Sequence, residues 1–463
     1  KYNLDYYIQL AKDLENAGAH ILAIKDMAGL LKPYAASELI SALKSEVSLP
    51  IHLHTHDTSS IQSATYIKAI EAGVDVIDVA LAGMSGLTSQ PNFNSMVEAM
   101  KNHERENKMD MDKLNAYSNY WTSVREYYYP FESGLKAGTG EVYQHEIPGG
   151  QYSNLVPQAE SLGLKDRFNE ITDMYGKVNE LFGNVIKVTP SSKVVGDMAQ
   201  YLVSNNLTIE DFFEKGETLS FPESVKNFFK GDLGQPVGGF PKKVQDIILR
   251  GEKPYTDRPN AHLEPVEFEK EFAEFKEKFS EGMDREWDMT DFLSYKLYPK
   301  VFTDLYDHYV KYGKVMNIPT KNFFYGMKPG EEIIVELDRG KTLLITLIST
   351  TKPDAAGMVT VFFKVNGQTR NIQVQDKSIK VEKVEHVKAD KSDPKQVAAP
   401  LQGSLSEIMV KEGDKVSKNQ PLFVIEAMKM GTTITSNGEG EVKKIHLKAG
   451  DMVFSDDLVV ELE

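Results

Sequence analysis

Three short apolar stretches, HILAIKD at 20–26, LPIHLH at 49–54 and DVIDVALA at 75–82, are bounded by Gly, Pro or polar turns, as buried strands are. They begin about 27 residues apart. Between them run PYAASELISALKSEV and SIQSATYIKAIEAG, whose apolar residues recur every three or four positions, as on one face of a helix. Repeated strand–helix units predict a parallel sheet. The spacing suits a (β/α)8 TIM barrel, whose functional groups gather at the C-terminal ends of the strands. A doubly wound sheet spaces its units in the same way and is the structural alternative. Only three or four units are visible, so a barrel here is partial and needs further strands upstream.

From about 105 to 300 the pattern is mostly helical, more helix than a plain barrel requires, which predicts a helical extension on its side. At 331–376 it switches to period-two alternation, EIIVELDRGKTLLITLI followed by TVFFKVNGQTRNIQVQD, which predicts a small all-β module. Within it Val365-Asn366-Gly367-Gln368 has the chemistry of a two-residue hairpin turn, since Asn-Gly readily takes positive φ. Residues 377–396 are rich in Lys, Asp and Glu with little to bury, and predict a flexible tether. The last segment is duplicated. GSLSEIMVKEGDKV from Gly403 matches GEVKKIHLKAGDMV from Gly440, with the Gly-Asp turns 37 residues apart, and predicts two related half-sheets packed face to face. The fold class expected is therefore multidomain: a barrel part at 1–140, a helical extension at 141–315, a β module at 316–380, a linker at 381–396 and a flattened β-barrel or sandwich at 397–463.

A chain of 463 residues is long enough for two to four such domains. The net charge of −15 argues against nucleic acid as a partner, because displacing counterions from phosphates needs a basic face. No apolar run reaches the roughly 20 residues of a membrane span, so no membrane partner is expected. Cysteine is absent, which excludes disulfides, thiolate catalysis and zinc–thiolate sites. The first residues already form an amphipathic helix without a basic leader, so the expectation is a chain that starts inside a domain.

Between the duplicated halves lies VIEAMKMGTTI, which places Lys429 at a hairpin tip, ahead of a charged tether and inside a symmetric module. A lysine at random is a solvated surface group, but these three features coincide here. The segment resembles the carrier domain of the biotin-dependent carboxylases, over 397–463 without a gap. The resemblance implies biotin joined to Lys429 by a biotin protein ligase, and the tether would then raise the effective concentration of the carrier at two distant sites. Met428 and Met430 favour biotin over lipoate.

In HLHTHDT, His54 and His56 stand two apart on a strand and so share a face, with His52 further back on the same side. Two such imidazoles suit Zn2+ or Mn2+ better than Mg2+ or Ca2+. Taken alone, the pair could equally be a surface pair or satisfied core groups. Together with Lys25 in IKDMAGLL and the carrier downstream, the pattern resembles the carboxyltransferase barrel of the pyruvate carboxylase family. That implies a carbamylated Lys25 joining His54 and His56 on one metal ion, with an aspartate ligand of the family lying upstream. KVTPSSKVVGD at 187–197 adds a further resemblance: Thr189 matches the threonine that shuttles a proton between biotin and pyruvate, and Ser192 and Lys193 would line the biotin pocket. Thr189 by itself could be a helix N-cap. HEIPGGQYSNL, with Gly149 and Gly150 allowing a turn, would shape the funnel to that site, and no Gly-rich stretch matches a phosphate-binding loop.

The family resemblance carries further expectations. Carboxybiotin, made with ATP, Mg2+ and bicarbonate on a domain absent from this chain, would carboxylate pyruvate to oxaloacetate in a cytoplasmic bacterial enzyme. The full enzyme would be a homo-tetramer activated by acetyl-CoA, with the β module in the place of the allosteric and tetramerisation domain. Some bacterial members bind cyclic di-AMP, and Tyr34 in LLKPYAA could stack on its base or simply pack at a helix start. The alternatives are a carboxyltransferase subunit of an oxaloacetate decarboxylase or transcarboxylase, an HxH metallo-barrel that condenses acyl-CoA, and a non-catalytic biotinylated scaffold.

Overall fold

A computed structural model describes residues 1–281, 285–354, 357–376, 386–390, 393, 395–427 and 430–463. Its contacts divide the chain into two units, Lys1–Ala261 with His386–Glu463, and His262–Glu385.

The first unit opens with α1 (Leu4–Asn16), β1 (Leu22–Asp26), α2 (Pro33–Glu46), β2 (Ile51–Thr55), α3 (Gln62–Glu71) and β3 (Val76–Ile77). The strands pair in parallel in the order β1-β2-β3, with a helix in each crossover. Consecutive order is that of a barrel arc; a doubly wound sheet reverses direction at its switch point. The third strand is shorter than the sequence pattern suggests. Beyond Ile77 only Ala80 makes a bridge, to Asn92. Ala36, Ile40 and Leu43 of α2 and Tyr66 and Ala69 of α3 pack on Ile51 and Leu53, so the helices cover one face of the sheet.

Helices α4 (Phe93–Ala99), α5 (Met111–Arg125), α6 (Val142–His145), α7 (Gly149–Ser161), α8 (Phe168–Leu181), α9 (Ser191–Ser204), α10 (Ile209–Lys215), α11 (Glu223–Lys230) and α12 (Lys242–Leu249) follow. Helix α9 is the centre of this layer. Every residue from Val194 to Val203 is buried, so it is hydrophobic nearly all round, as an interior helix is.

The second unit contains α13 (Phe268–Lys278), α14 (Met289–Leu297), α15 (Pro299–Tyr312) and α16 (Thr320–Tyr325), then β4 (Glu332–Asp338), β5 (Lys341–Thr350), β6 (Met358–Val365) and β7 (Gln368–Gln375). The strands form an antiparallel meander in the order β4-β5-β6-β7. Its β6–β7 turn is the one expected: Val365 pairs with Gln368, and Asn366 and Gly367 both have positive φ. The helices from 268 to 312 belong to this unit by contact, the division falling between Ala261 and His262. Phe275, Phe279, Phe292 and Phe302 form their core.

The chain returns to the first unit for β8 (Gln396–Ala398), β9 (Gly403–Ile408), β10 (Lys415–Val416), β11 (Pro421–Ala427), β12 (Met430–Thr435), β13 (Gly440–Ile445), β14 (Met452–Val453) and β15 (Leu458–Leu462). They form two sheets, β10-β13-β15-β8 and β12-β11-β9-β14. The duplication is real, but it does not make one sheet per half: each sheet takes two strands from each half. The symmetry extends to single bonds. Gly413 N–H donates to Val442 O and Gly450 N–H to Leu405 O, both at 2.8 Å, and each pair is the other displaced by one repeat. Interleaving buries the apolar face of every strand against its counterpart, which two separate half-sheets sharing one interface would do less completely.

Much of the expected tether at 377–396, including 377–385, lies outside the described residues. Its end is attached to the carrier, where Lys388 bridges to Asp457 and His386 Nδ1 lies 2.9 Å from the buried Asp457 carboxylate.

Candidate functional site

The C-terminal ends of β1 and β2 bring the strand-end residues together. Lys25 is the register partner of His54, so their side chains leave the sheet on one side by side. His52 and His54 share that face, and both point at Asp78, one residue beyond β3. His52 Nε2 lies 2.8 Å from Asp78 Oδ1 and His54 Nδ1 lies 2.7 Å from Asp78 Oδ2. Burial pushes the Asp78 carboxyl up, but its bonds to His54 and His52 outweigh this and hold it below its usual range.

His56 is turned by a different group: its Nδ1 lies 2.6 Å from the Thr88 carbonyl oxygen, which can only accept. Nδ1 of both His54 and His56 is therefore the protonated nitrogen, and both Nε2 atoms present lone pairs. These two Nε2 atoms are 3.2 Å apart. Two lone pairs at that distance repel unless a cation or proton lies between them, and it is the separation that two ligands of one ion have when each bond is about 2.1 Å. Burial lowers the His56 pKa, and the nearby His54 and Lys25 lower it further, which keeps the imidazole neutral as ligation requires. The residues present thus fit a metal ion. Among the described residues no group of three His, Asp or Glu side chains converges on one point, so the histidine pair needs another ligand.

Several supporting groups were not singled out in the sequence. Asp26 ends β1, and its carboxylate accepts from Leu30 N–H at 2.8 Å, Leu31 N–H at 2.9 Å and Thr55 Oγ at 2.8 Å, pinning the loop beyond Lys25 to the end of β2. Tyr66, fully buried behind the site, donates to the Asp78 carbonyl oxygen at 2.6 Å. An aspartate at the end of each apolar run, IKD and VID, is the signal that could have found Asp26 and Asp78. Gly149 and Gly150 do not make the expected turn; they start α7. The need for glycine at 149 is close approach: a Cβ there would stand 2.8 Å from both His56 Nδ1 and the Thr88 oxygen.

A cavity of about 700 Å³ runs along α1 and β1, from Leu10 and Leu14 of the helix to Lys25 and Asp26 at the strand end, where Lys187 and Val188 ahead of α9 also line it. Lys187 is ion-paired with Glu146. The next residue, Thr189, is exposed, and the N-cap position belongs to Pro190 with no side-chain cap, so Thr189 is not the helix cap. The hydroxyl that ties this loop is that of Ser191, 2.6 Å from Ile186 O and 2.7 Å from Val188 O. Ser192 is buried, its carbonyl accepting from Tyr175 Oη at 3.3 Å, and Lys193 is ion-paired with Asp197. Lys429 and Met428 lie outside the described residues, between β11 and β12. Tyr34, at the start of α2, is 80% exposed.

Comparison with known proteins gives three family matches: HMGL-like over residues 1–120, Conserved carboxylase domain over 142–346, and Biotin-requiring enzyme over 395–462. A barrel-type arc with two facing histidines at a strand end, a conserved carboxylase domain and a biotin-requiring domain in one chain define the class of biotin-dependent carboxylases. The chain is 50% identical over 463 residues to pyruvate carboxylase of Bacillus subtilis (strain 168), covering 100% of this chain and 40% of the relative. It is 42% identical over 466 residues to human mitochondrial pyruvate carboxylase, covering 100% of this chain and 39% of the relative. The solved carboxyl transferase domain of Rhizobium etli pyruvate carboxylase matches with a TM-score of 0.74 at 49% identity, over 81% of this chain and 63% of that one. The chain belongs to the pyruvate carboxylase family, as its carboxyltransferase and biotin-carrier portion. It spans about two fifths of the length of the curated relatives it matches.

Proposed function

We propose that this chain performs the second half-reaction of a pyruvate carboxylase, passing a carboxyl group carried by biotin to pyruvate to form oxaloacetate. The observation that carries this is the pair of facing Nε2 lone pairs on His54 and His56, 3.2 Å apart beside Lys25, in a chain whose last domain matches biotin-requiring enzymes. His54, His56 and a carbamylated Lys25 would hold Mn2+ or Zn2+; carbamylation turns a repelling cation into an anionic oxygen ligand. The bound metal supplies positive charge that polarises and positions pyruvate, and biotin on Lys429 supplies the carboxyl group.

The rest is done by the chain's own side chains. Asp78 and the Thr88 carbonyl fix the tautomers of the two histidines. Thr189, next to Lys187 and Val188 at the cavity, would relay a proton from the pyruvate methyl group to the biotin ureido group, releasing its own hydroxyl proton as it takes the methyl one. Ser192 and Lys193, in the first turn of α9, would receive the biotin head.

The domain limits 1–140, 141–315, 316–380, 381–396 and 397–463 remain part of this reading, with the contact boundary at 261/262 noted above. So do the roles of the full-length enzyme: ATP, Mg2+ and bicarbonate at a separate domain, biotin protein ligase as modifying partner, acetyl-CoA as activator, a homo-tetramer, and the cytoplasm as setting. Among the described residues no helix is long and apolar enough to cross a membrane. The exposure of Tyr34 supports it as a stacking surface for cyclic di-AMP.

The test uses the full-length protein expressed with a biotin ligase and biotin. Intact mass should rise by one biotin and fail to rise in Lys429→Ala. Exchange of label between pyruvate and oxaloacetate should be present, and should be lost together with bound metal in His54→Ala. A biotinylated, metal-bound enzyme without exchange would sink the reading in favour of a scaffold.

A further inference from the structure

Helix α9 carries an arrangement that its own stability does not require. Lys193 stands in its first turn and Asp197 one turn further on, and the two side chains form an ion pair. A cation at a helix N-terminus is disfavoured by the macrodipole. A base four residues ahead of an acid is also the weaker orientation of a helical pair. Asp197 is fully buried, and it is the one acidic side chain of the buried stretch Val194–Val203. Its Oδ2 accepts from Lys193 and, at 2.5 Å, from Ser224 Oγ of α11, while Oδ1 has no hydrogen-bond partner among the described residues. Burial pushes its pKa up, and the Lys193 ammonium works against that shift. A buried carboxylate left half unsatisfied, paired with a cation that the helix dipole disfavours, is costly, and such groups concentrate at functional sites.

The Lys193 side chain keeps 36% of its surface exposed, and an ammonium has three donors, of which Asp197 takes one. Strand β12 (Met430–Thr435) lies against α11, so the helix holding Ser224 also meets the carrier domain.

We propose that Asp197 is a positioning residue that, with Ser224 as second support, orients the Lys193 ammonium towards the anionic group delivered by the carrier domain. The proposal rests on the function given above. Without Asp197 the long Lys193 side chain keeps its charge but loses its direction, so the carboxyl group is met by a mobile cation instead of an aimed one.

In the full-length biotinylated enzyme, exchange of label between pyruvate and oxaloacetate is measured for Lys193→Gln, Asp197→Asn, Ser224→Ala and the two double variants with Lys193→Gln. Asp197→Asn should lower exchange by about tenfold and Ser224→Ala by about threefold, both with an unchanged KM for pyruvate. Neither should add to the loss already caused by Lys193→Gln, because an orienting group has nothing to do once the ammonium is gone. Equal losses with and without Lys193 would show that Asp197 only supports the fold, and the proposal is then overturned. Should Asp197→Asn fail to fold, the Ser224→Ala cycle decides in the same way. If the unmodified enzyme shows no exchange at all, the functional reading fails and takes this proposal with it.

Discussion

Asp78 shows how a residue behind a pair of candidate ligands can set which atoms they present. Its two oxygens hold His52 and His54, and through His54 Nδ1 they decide which nitrogen keeps a lone pair. Asp78→Asn can present an N–H where an acceptor is needed, so bound metal in the full-length enzyme should fall by about 10- to 100-fold in affinity, read by competition with a chelator. His145 makes a prediction about pH. Burial pushes its pKa down to about 4, and its Nδ1 accepts from Ile147 N–H at 3.0 Å. A histidine with a folded pKa below its unfolded value keeps its contribution above about pH 6.5 and loses it as pH falls towards about 4, because the unfolded chain binds the proton first. The melting temperature should therefore drop over that window, and His145→Asn should flatten the drop. The structure also revises the residue-level reading of Thr189: sequence allowed either a cap or a reacting hydroxyl, and the cap is excluded because Pro190 holds that position.

Among the elements, β2, the loop bearing Thr88 and the start of α7 meet closely. Gly149 N–H donates to Met27 O at 2.9 Å, tying α7 to the loop after β1, and its missing Cβ leaves room for the His56 ring. Gly149→Ala would meet His56 Nδ1 and the Thr88 oxygen at 2.8 Å and push the ring off its acceptor. The expected outcome is loss of metal at a cost of about 1–3 kcal/mol in stability, as for other overpacked sites, measured by metal analysis beside thermal unfolding. The same element level separates what was legible from what was not. The hairpin at Asn366-Gly367 follows from two adjacent residues, and the structure has it. The pairing of duplicated halves in the carrier depends on strands up to 65 residues apart, such as β8 with β15, and no local pattern specifies such partners.

For the whole molecule, the two contact units predict separable unfolding. Phe275 is buried among Phe279, Phe292 and Phe302 in His262–Glu385 only. Phe275→Ala should destabilise that unit by about 3–5 kcal/mol and leave the transition of Lys1–Ala261 with His386–Glu463 in place, seen by calorimetry as one peak moving. The sequence by itself determined the kinds of element, the barrel-type repeat, Lys25, His54 and His56 as one strand-end constellation, and a last domain that resembles a biotin carrier. Period, turn chemistry and strand alternation are local, and a short window contains all their causes. Only the tertiary structure decided that the lone pairs of two histidines face each other, that Asp78 and Thr88 turn them there, that Gly149 makes the room, and that a buried Asp197 holds Lys193. Each of those depends on which nitrogen or oxygen a folded neighbour presents, and for the two histidines the neighbours come from residues 24 to 93 positions away.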